Sequence, residues 1–119
     1  MSTRFKAGDF LVFQLEAGYS LLRLLEIEDT EADKIWHVAA YDDFFLDVET
    51  AETVSADPAR LSSKDKHIAL STRAFESTQV ATISNLPLTD EELEPLAKWR
   101  SDPQRQVSDR SVRLMLGLR

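Results

Sequence analysis

The chain has 119 residues, 43% of them apolar and 29% charged, with 21 acidic and 14 basic side chains and a net charge of −7. That is the size and balance of one globular domain with one core. The absence of cysteine excludes disulfides, thiolate metal sites and cysteine nucleophiles, and no apolar stretch approaches the roughly 18 residues of a membrane helix.

The charge is uneven. Residues 1–60 carry 13 acidic and 5 basic side chains, and residues 61–119 carry 8 and 9. An acidic front half argues against nucleic acid as a partner, because phosphate binding needs Lys and Arg to replace counterions. It suits either solubility or attraction to a basic protein. The first ten residues hold Arg4, Lys6 and Asp9 with no signal-like apolar core behind them, so a cytoplasmic location is expected.

In chain order, Gly8-Asp9 opens an apolar run from Phe10 to Leu15. It is apolar on both faces, as in a strand buried between layers or inside a small barrel. Ala17-Gly18 supplies a turn, with glycine expected there for its tolerance of positive φ. Tyr19 to Ile27 returns as a second strand, and Glu28 to Asp33 is a polar connector with four acids among six residues. Lys34 to Tyr41 reads as a third, well-buried strand, which completes a meander.

Asp42 to Val48 places two acids before a hydrophobic triplet and reads as a short strand or as a surface loop with tucked aromatics. Glu49 to Ser63 reads as loop, with a helical turn at Asp57 to Leu61 where Pro58 suits the first helical position. Lys66 to Ser71 and Val80 to Ser84 read as strands of a second hairpin-like unit, with Arg73 to Glu76 as a bulge or turn between them. Thr89-Asp90-Glu91-Glu92 writes a capping box for a helix that ends at Asp102-Pro103, weakened by Pro95 inside it. The tail Ser111 to Arg119 alternates with period two, which predicts a final strand. The expected architecture is α+β, mainly β: a strongly bent antiparallel sheet or SH3-like open barrel of about five to seven strands with one C-terminal helix.

No G-x-G-x-x-G, Walker loop, H-E-x-x-H or G-x-S-x-G occurs, and the three glycines are isolated. His37 and His67 stand 30 positions apart, so no local metal pair is written. No cofactor, metal or catalytic residue is expected. Tyr41, Phe44 and Phe45 flanked by Asp42, Asp43 and Asp47 have the composition of an interface, aromatic anchors with a charged rim, though at least one of the two phenylalanines is expected in the core. The Arg-rich tail (Arg110, Arg113, Arg119) reads as a charged edge or as a scaffold contact.

The segments F-K-A-G-D-F-L-V-F-Q-L at 5–15, G-Y-S-L-L-R-L-L-E at 18–26, A-Y-D at 40–42 and I-S-N-L-P-L-T-D-E-E-L at 83–93, followed by Trp99, occur in an order that resembles immunity protein 26 and related bacterial antitoxins. Leu22 stands where that family often has a glycine, and Ser77 or Thr78 where it tends to have a tryptophan. The resemblance implies a cytoplasmic, non-enzymatic protein that binds and neutralises a cognate toxin. On that reading an acidic patch occupies a basic active-site cleft, and the expected partner-binding residues are Glu28, Asp29, Glu31, Asp33, Asp42, Asp43 and Asp47. The alternative from a different class is a small-ligand-binding protein or enzyme with a site around His37, Tyr41, Asp42 and His67.

Overall fold

The computed structural model describes residues 5–117. Five antiparallel strands form one open sheet: β1 (Asp9–Gln14), β2 (Tyr19–Asp29), β3 (Lys34–Phe45), β4 (Ser63–Ser71) and β5 (Ala81–Asn85), in the order β4-β3-β2-β1-β5. The sheet does not close into a barrel. The fold is the α+β, mainly β arrangement expected, with four α-helices among the described residues in place of the one C-terminal helix expected, and β1, β2 and β3 form the expected meander. Register shifts interrupt β1–β5, β2–β3 and β3–β4; such bulges bend a sheet and increase its twist.

The sheet is covered on both sides, which is why β1 is apolar on both faces. On one face Leu11, Phe13, Leu22, Leu24, Trp36, Val38, Ile68 and Leu70 form the larger core. It is closed by Ala74 and Phe75 of α2 (Thr72–Thr78) and Val112 of α4 (Val112–Met115). Phe75 stacks on Trp36 with ring centroids 4.1 Å apart. On the other face Phe10, Leu21 and Phe45 pack with Ala51 of α1 (Val48–Ser55). Further along that face lies α3 (Asp90–Ser101).

Five local expectations are corrected, the last at Gly18. Residues 48–55 are helix rather than loop: the Asp47 side chain caps α1 by accepting from the Thr50 amide at 2.7 Å. The β-branched content of V-E-T-A-E-T-V-S hides the helix, and burial of Ala51 and Ser55 overrides propensity. The turn expected at Pro58 is present, as a 3-10 turn over Pro58–Arg60. Arg73–Glu76 belongs to α2, capped by Ser71. β4 and β5 do not pair, since they form opposite edges of the sheet and β5 pairs with β1.

The tail holds the fourth correction. Its described part is helical, with Ser111 as cap, Val112 buried and Leu114 73% exposed; the rest of the predicted strand, residues 118–119, lies outside the described residues. Gly18 is required for a different reason from the one expected. Its φ is not positive, and an added Cβ would lie 2.3 Å from the Phe45 carbonyl oxygen and 2.6 Å from the Phe44 ring.

One buried cation ties the sheet to α3. Arg23 on β2 is enclosed, with Nε donating to the Gly8 carbonyl at 3.0 Å, Nη2 to the Leu86 carbonyl at 2.8 Å and Nη1 to Glu92 Oε2 at 2.7 Å. Its guanidinium also lies over the Phe10 ring at 4.1 Å. Glu92 spends its other oxygen on the Thr89 amide, completing the predicted capping box. The start of α3 is thereby fixed above β2, and its last turn is aimed at β3 and β4.

Candidate functional site

Two regions carry chemistry, and β3 connects them. The first lies at the C-terminal end of β3. Phe45 turns inward and is buried, whereas Phe44, Leu46 and Val48 stay exposed at 47%, 78% and 37%. Asp42, Asp43, Asp47 and Glu49 surround them in sequence. An exposed apolar group with an acidic rim is the surface composition of a protein contact. Three of these acids also have local duties: Asp43 accepts from the Ser62 amide at 2.6 Å, Asp42 lies 3.7 Å from Lys64, and Asp47 caps α1. The Thr50 amide bond holds the Asp47 carboxyl below its ordinary range.

The other four expected acids stand at the opposite end of β3, near the β2–β3 turn. Asp33 and Asp42 are nine residues apart along an extended strand, about 30 Å at roughly 3.3 Å per residue. The seven carboxylates therefore form two groups rather than one face. In the turn group Asp29 pairs with Lys34 at 2.5 Å. Asp33 reaches the Thr72 hydroxyl at 2.7 Å and the Thr72 amide at 3.1 Å, and the hydroxyl contact foremost lowers its pKa. Glu31 is exposed.

Glu28 belongs to a different constellation, one that the sequence does not write in any local motif. Glu28 Oε1 lies 2.9 Å from His37 Nε2, and His37 Nδ1 lies 2.9 Å from His67 Nε2. The three side chains come from β2, β3 and β4 and point to the α3 face. Trp99 of α3 closes over them, its ring centroid 4.9 Å from His37 and 5.5 Å from His67. Next to Trp99, Arg100 pairs with Glu26 and, at 3.3 Å, with Glu28. Glu26 and Glu28 both fall on this face because of the register shift between Leu24 and Glu26.

Electrostatics fix the protons. The hydrogen bond from His37 lowers the pKa of Glu28, so Glu28 is a carboxylate and accepts only. His37 Nε2 must then carry a hydrogen. Burial lowers the pKa of His37 in spite of Glu28, and the neutral ring leaves Nδ1 as an acceptor. His67 Nε2 therefore donates to it. Burial first, then the proximity of His37 and Arg100, brings His67 down to about 4. A neutral His67 with its hydrogen on Nε2 ends the chain with a bare lone pair on Nδ1.

His67 lines a groove of about 710 Å³ whose walls also include Trp99, Arg105, Ser108 and Met115. The outer wall is the segment 102–110, which adds itself to the free edge of β4: the Ser108 amide donates to Ala69 and the Ser71 amide donates to Ser108. Trp99 Nε1 donates to the Gln106 carbonyl at 3.0 Å and anchors the segment to α3.

Of the alternative set His37, Tyr41, Asp42 and His67, the structure joins the two histidines only. Tyr41 lies toward Arg23 and the other core, stacked on Phe10 at 6.2 Å and lining a separate cavity of about 580 Å³ with Lys66 and Lys98. Burial raises the Tyr41 pKa. Asp42 is exposed beyond it. Sequence reading missed Glu26, Trp99 and Arg100 as companions of the histidines, since they converge from β2 and α3 across more than 60 positions of chain. The available hint was alternation: His37 and His67 each fall on the face opposite the apolar core residues of their strands. No helix among the described residues is long and apolar enough to cross a membrane. Comparison with known proteins finds no matching family model, no similar characterised protein and no similar solved structure.

Proposed function

We propose that this chain is a non-enzymatic, cytoplasmic immunity protein of bacterial type that binds and neutralises a cognate toxin through an acidic surface. The observation that supports this reading best is the exposed group Phe44, Leu46 and Val48 set among Asp42, Asp43 and Asp47. Such apolar side chains lose water only against a partner, and the acids around them select a basic one. Leu46 is the natural anchor, and Asp42 and Asp43 flank it toward the sheet. Glu28, Asp29, Glu31 and Asp33 add negative potential from the far end of β3 and steer a basic toxin domain toward the molecule. Inhibition is steric and electrostatic, so no residue of this chain needs to perform chemistry.

The test is titration of a basic toxin domain, sought among the products of neighbouring genes, against wild type, Leu46→Arg and Asp42→Lys. Both positions are exposed and outside the core, so the variants should unfold in urea like wild type. Each is expected to weaken binding about tenfold or more, the effect of losing roughly 1.4 kcal/mol at an interface anchor. Unchanged affinity in both variants rules the patch out as the contact.

A further inference from the structure

The groove beside His67 is independent of the apolar patch, and its walls are organised for recognition. We infer that it binds a small, neutral, planar ring carrying an N–H or O–H donor, held by a hydrogen bond to His67 Nδ1 and packed along Trp99. Three features lead there.

The first is the hydrogen-bond chain. Both nitrogens of the fully buried His37 are engaged, one with Glu28 and one with His67, at 2.9 Å each. This locks the orientation and tautomer of His67 from behind, as a carboxylate does for a histidine that must present one chosen nitrogen. His67 lines the groove, and its Nδ1 makes no hydrogen bond to another described residue and is open to solvent rather than buried. A solvent-open acceptor held in a fixed orientation can exchange its water for a ligand N–H or O–H at little cost in side-chain entropy.

The second is the wall. Trp99 is pinned by its indole N–H to Gln106 and by its edge against His37, so its position is set before any ligand arrives. Met115 of α4 also lines the groove and is 42% exposed. An indole and a thioether in a polar groove suit the flat face of a ring.

The third is charge. Arg105 and Arg110 line the groove together with Asp65, Asp102 and Asp109. The carboxylates are already engaged: Asp65 accepts from the His67 amide, Asp102 from the Gln104 amide, and Asp109 from the Ser71 hydroxyl and Arg73. With two guanidiniums against three carboxylates in its lining, the groove carries both signs with a slight negative excess, which favours a neutral polar ligand over an anion. The group beside the ligand is an acceptor rather than a proton carrier, because His67 stays neutral down to about pH 4.

The experiment uses the full chain labelled with ¹⁵N at histidine, titrated with uracil, adenine and phenol. Long-range ¹H–¹⁵N correlation of the free protein is expected to show His67 Nδ1 bare and Nε2 protonated. At least one probe should then shift the Nδ1 resonance saturably at millimolar concentration or below. Two substitutions divide the ring's two functions by geometry. His67→Gln keeps a donor at the Nε2 position toward His37 and removes the Nδ1 acceptor, so binding should fall about tenfold, the worth of one hydrogen bond left unmade. His67→Asn keeps a polar group at the Nδ1 position and should bind more tightly than His67→Gln. Met115→Trp, which narrows the groove from α4 without touching the histidines, should abolish binding and covers the case in which a His67 variant fails to fold. A protonated Nδ1 in the free protein, no saturable shift with any of the three probes, or wild-type affinity in His67→Gln or Met115→Trp overturns the inference. Leu46→Arg should leave probe binding unchanged, which separates this site from the partner surface.

Discussion

His67 shows how much a neighbourhood changes a residue. In water an imidazole takes a proton near pH 6.5; here burial, His37 and Arg100 bring it to about 4. The folded pKa lies below the unfolded one, so the unfolded chain holds the extra proton between those two values. The stabilising contribution is therefore fully present above about pH 6.5 and is lost as the pH falls toward 4. The full shift corresponds to about 3 kcal/mol, and water in the groove reduces that to about 2 kcal/mol. Glu28 acts in the same direction at lower pH, because its carboxylate is favoured in the folded state. Urea unfolding between pH 7.5 and 4 should show wild type losing stability over this window and His67→Gln losing about 2 kcal/mol less. Parallel pH profiles for the two proteins would mean that the histidine pair does not govern acid stability.

Among the elements, α3 does most to shape both cavities, and its two ends are held by different means. Its start is fixed by the capping box and by the reach of Arg23 to Glu92; its end is fixed by Trp99 and Arg100 over the histidines. Pro95 removes one internal hydrogen bond, yet the helix continues through it to Ser101, because Leu96 is buried immediately beyond and both ends are anchored. Thr89→Ala removes the cap acceptor for the Glu92 amide and should cost about 1 kcal/mol in urea unfolding. The same substitution leaves the Glu92 amide without its acceptor, while the Glu92 side chain stays held by Arg23, and should raise hydrogen exchange at the first-turn amides of α3, with little change at Trp99. Loss of protection along the whole helix would show instead that α3 docks as one unit. The capping box was legible because its signal lies within four consecutive residues. The caps of α1, α2 and α4 are also single side chains, Asp47, Ser71 and Ser111, but the helices behind them are only 8, 7 and 4 residues long, too short to write a helical period, and each buries its few apolar side chains against the sheet.

For the molecule as a whole, charge and topology act at different ranges. The front half carries 13 acidic side chains against 5 basic ones, and topology sends the seven expected contact acids to both ends of β3. A field from two groups at opposite ends of β3 steers an approaching basic protein over the whole length of the strand. Association with a basic toxin should therefore slow about tenfold or more between low salt and about 0.3 M salt, while the dissociation rate, governed by the Leu46 anchor, should change little. Stopped-flow mixing measures both, and a salt-independent association rate would remove the electrostatic part of the proposal.

What the sequence by itself determined is local. Alternation and the position of turns delimit the meander of β1 to β3, four consecutive residues announce α3, and composition sets the acidic character. Each of these signals is carried by neighbours in the chain. What only the tertiary structure decided is every relation between distant segments: β4 and β5 at opposite edges, Gly18 held small by Phe44 and Phe45, Arg23 spanning to Glu92, and the Glu28–His37–His67 chain beneath Trp99. The physical reason is that a bulge in β2 and the docking of α3 set which side chains meet, and both follow from burial across the whole sheet rather than from any short stretch of residues.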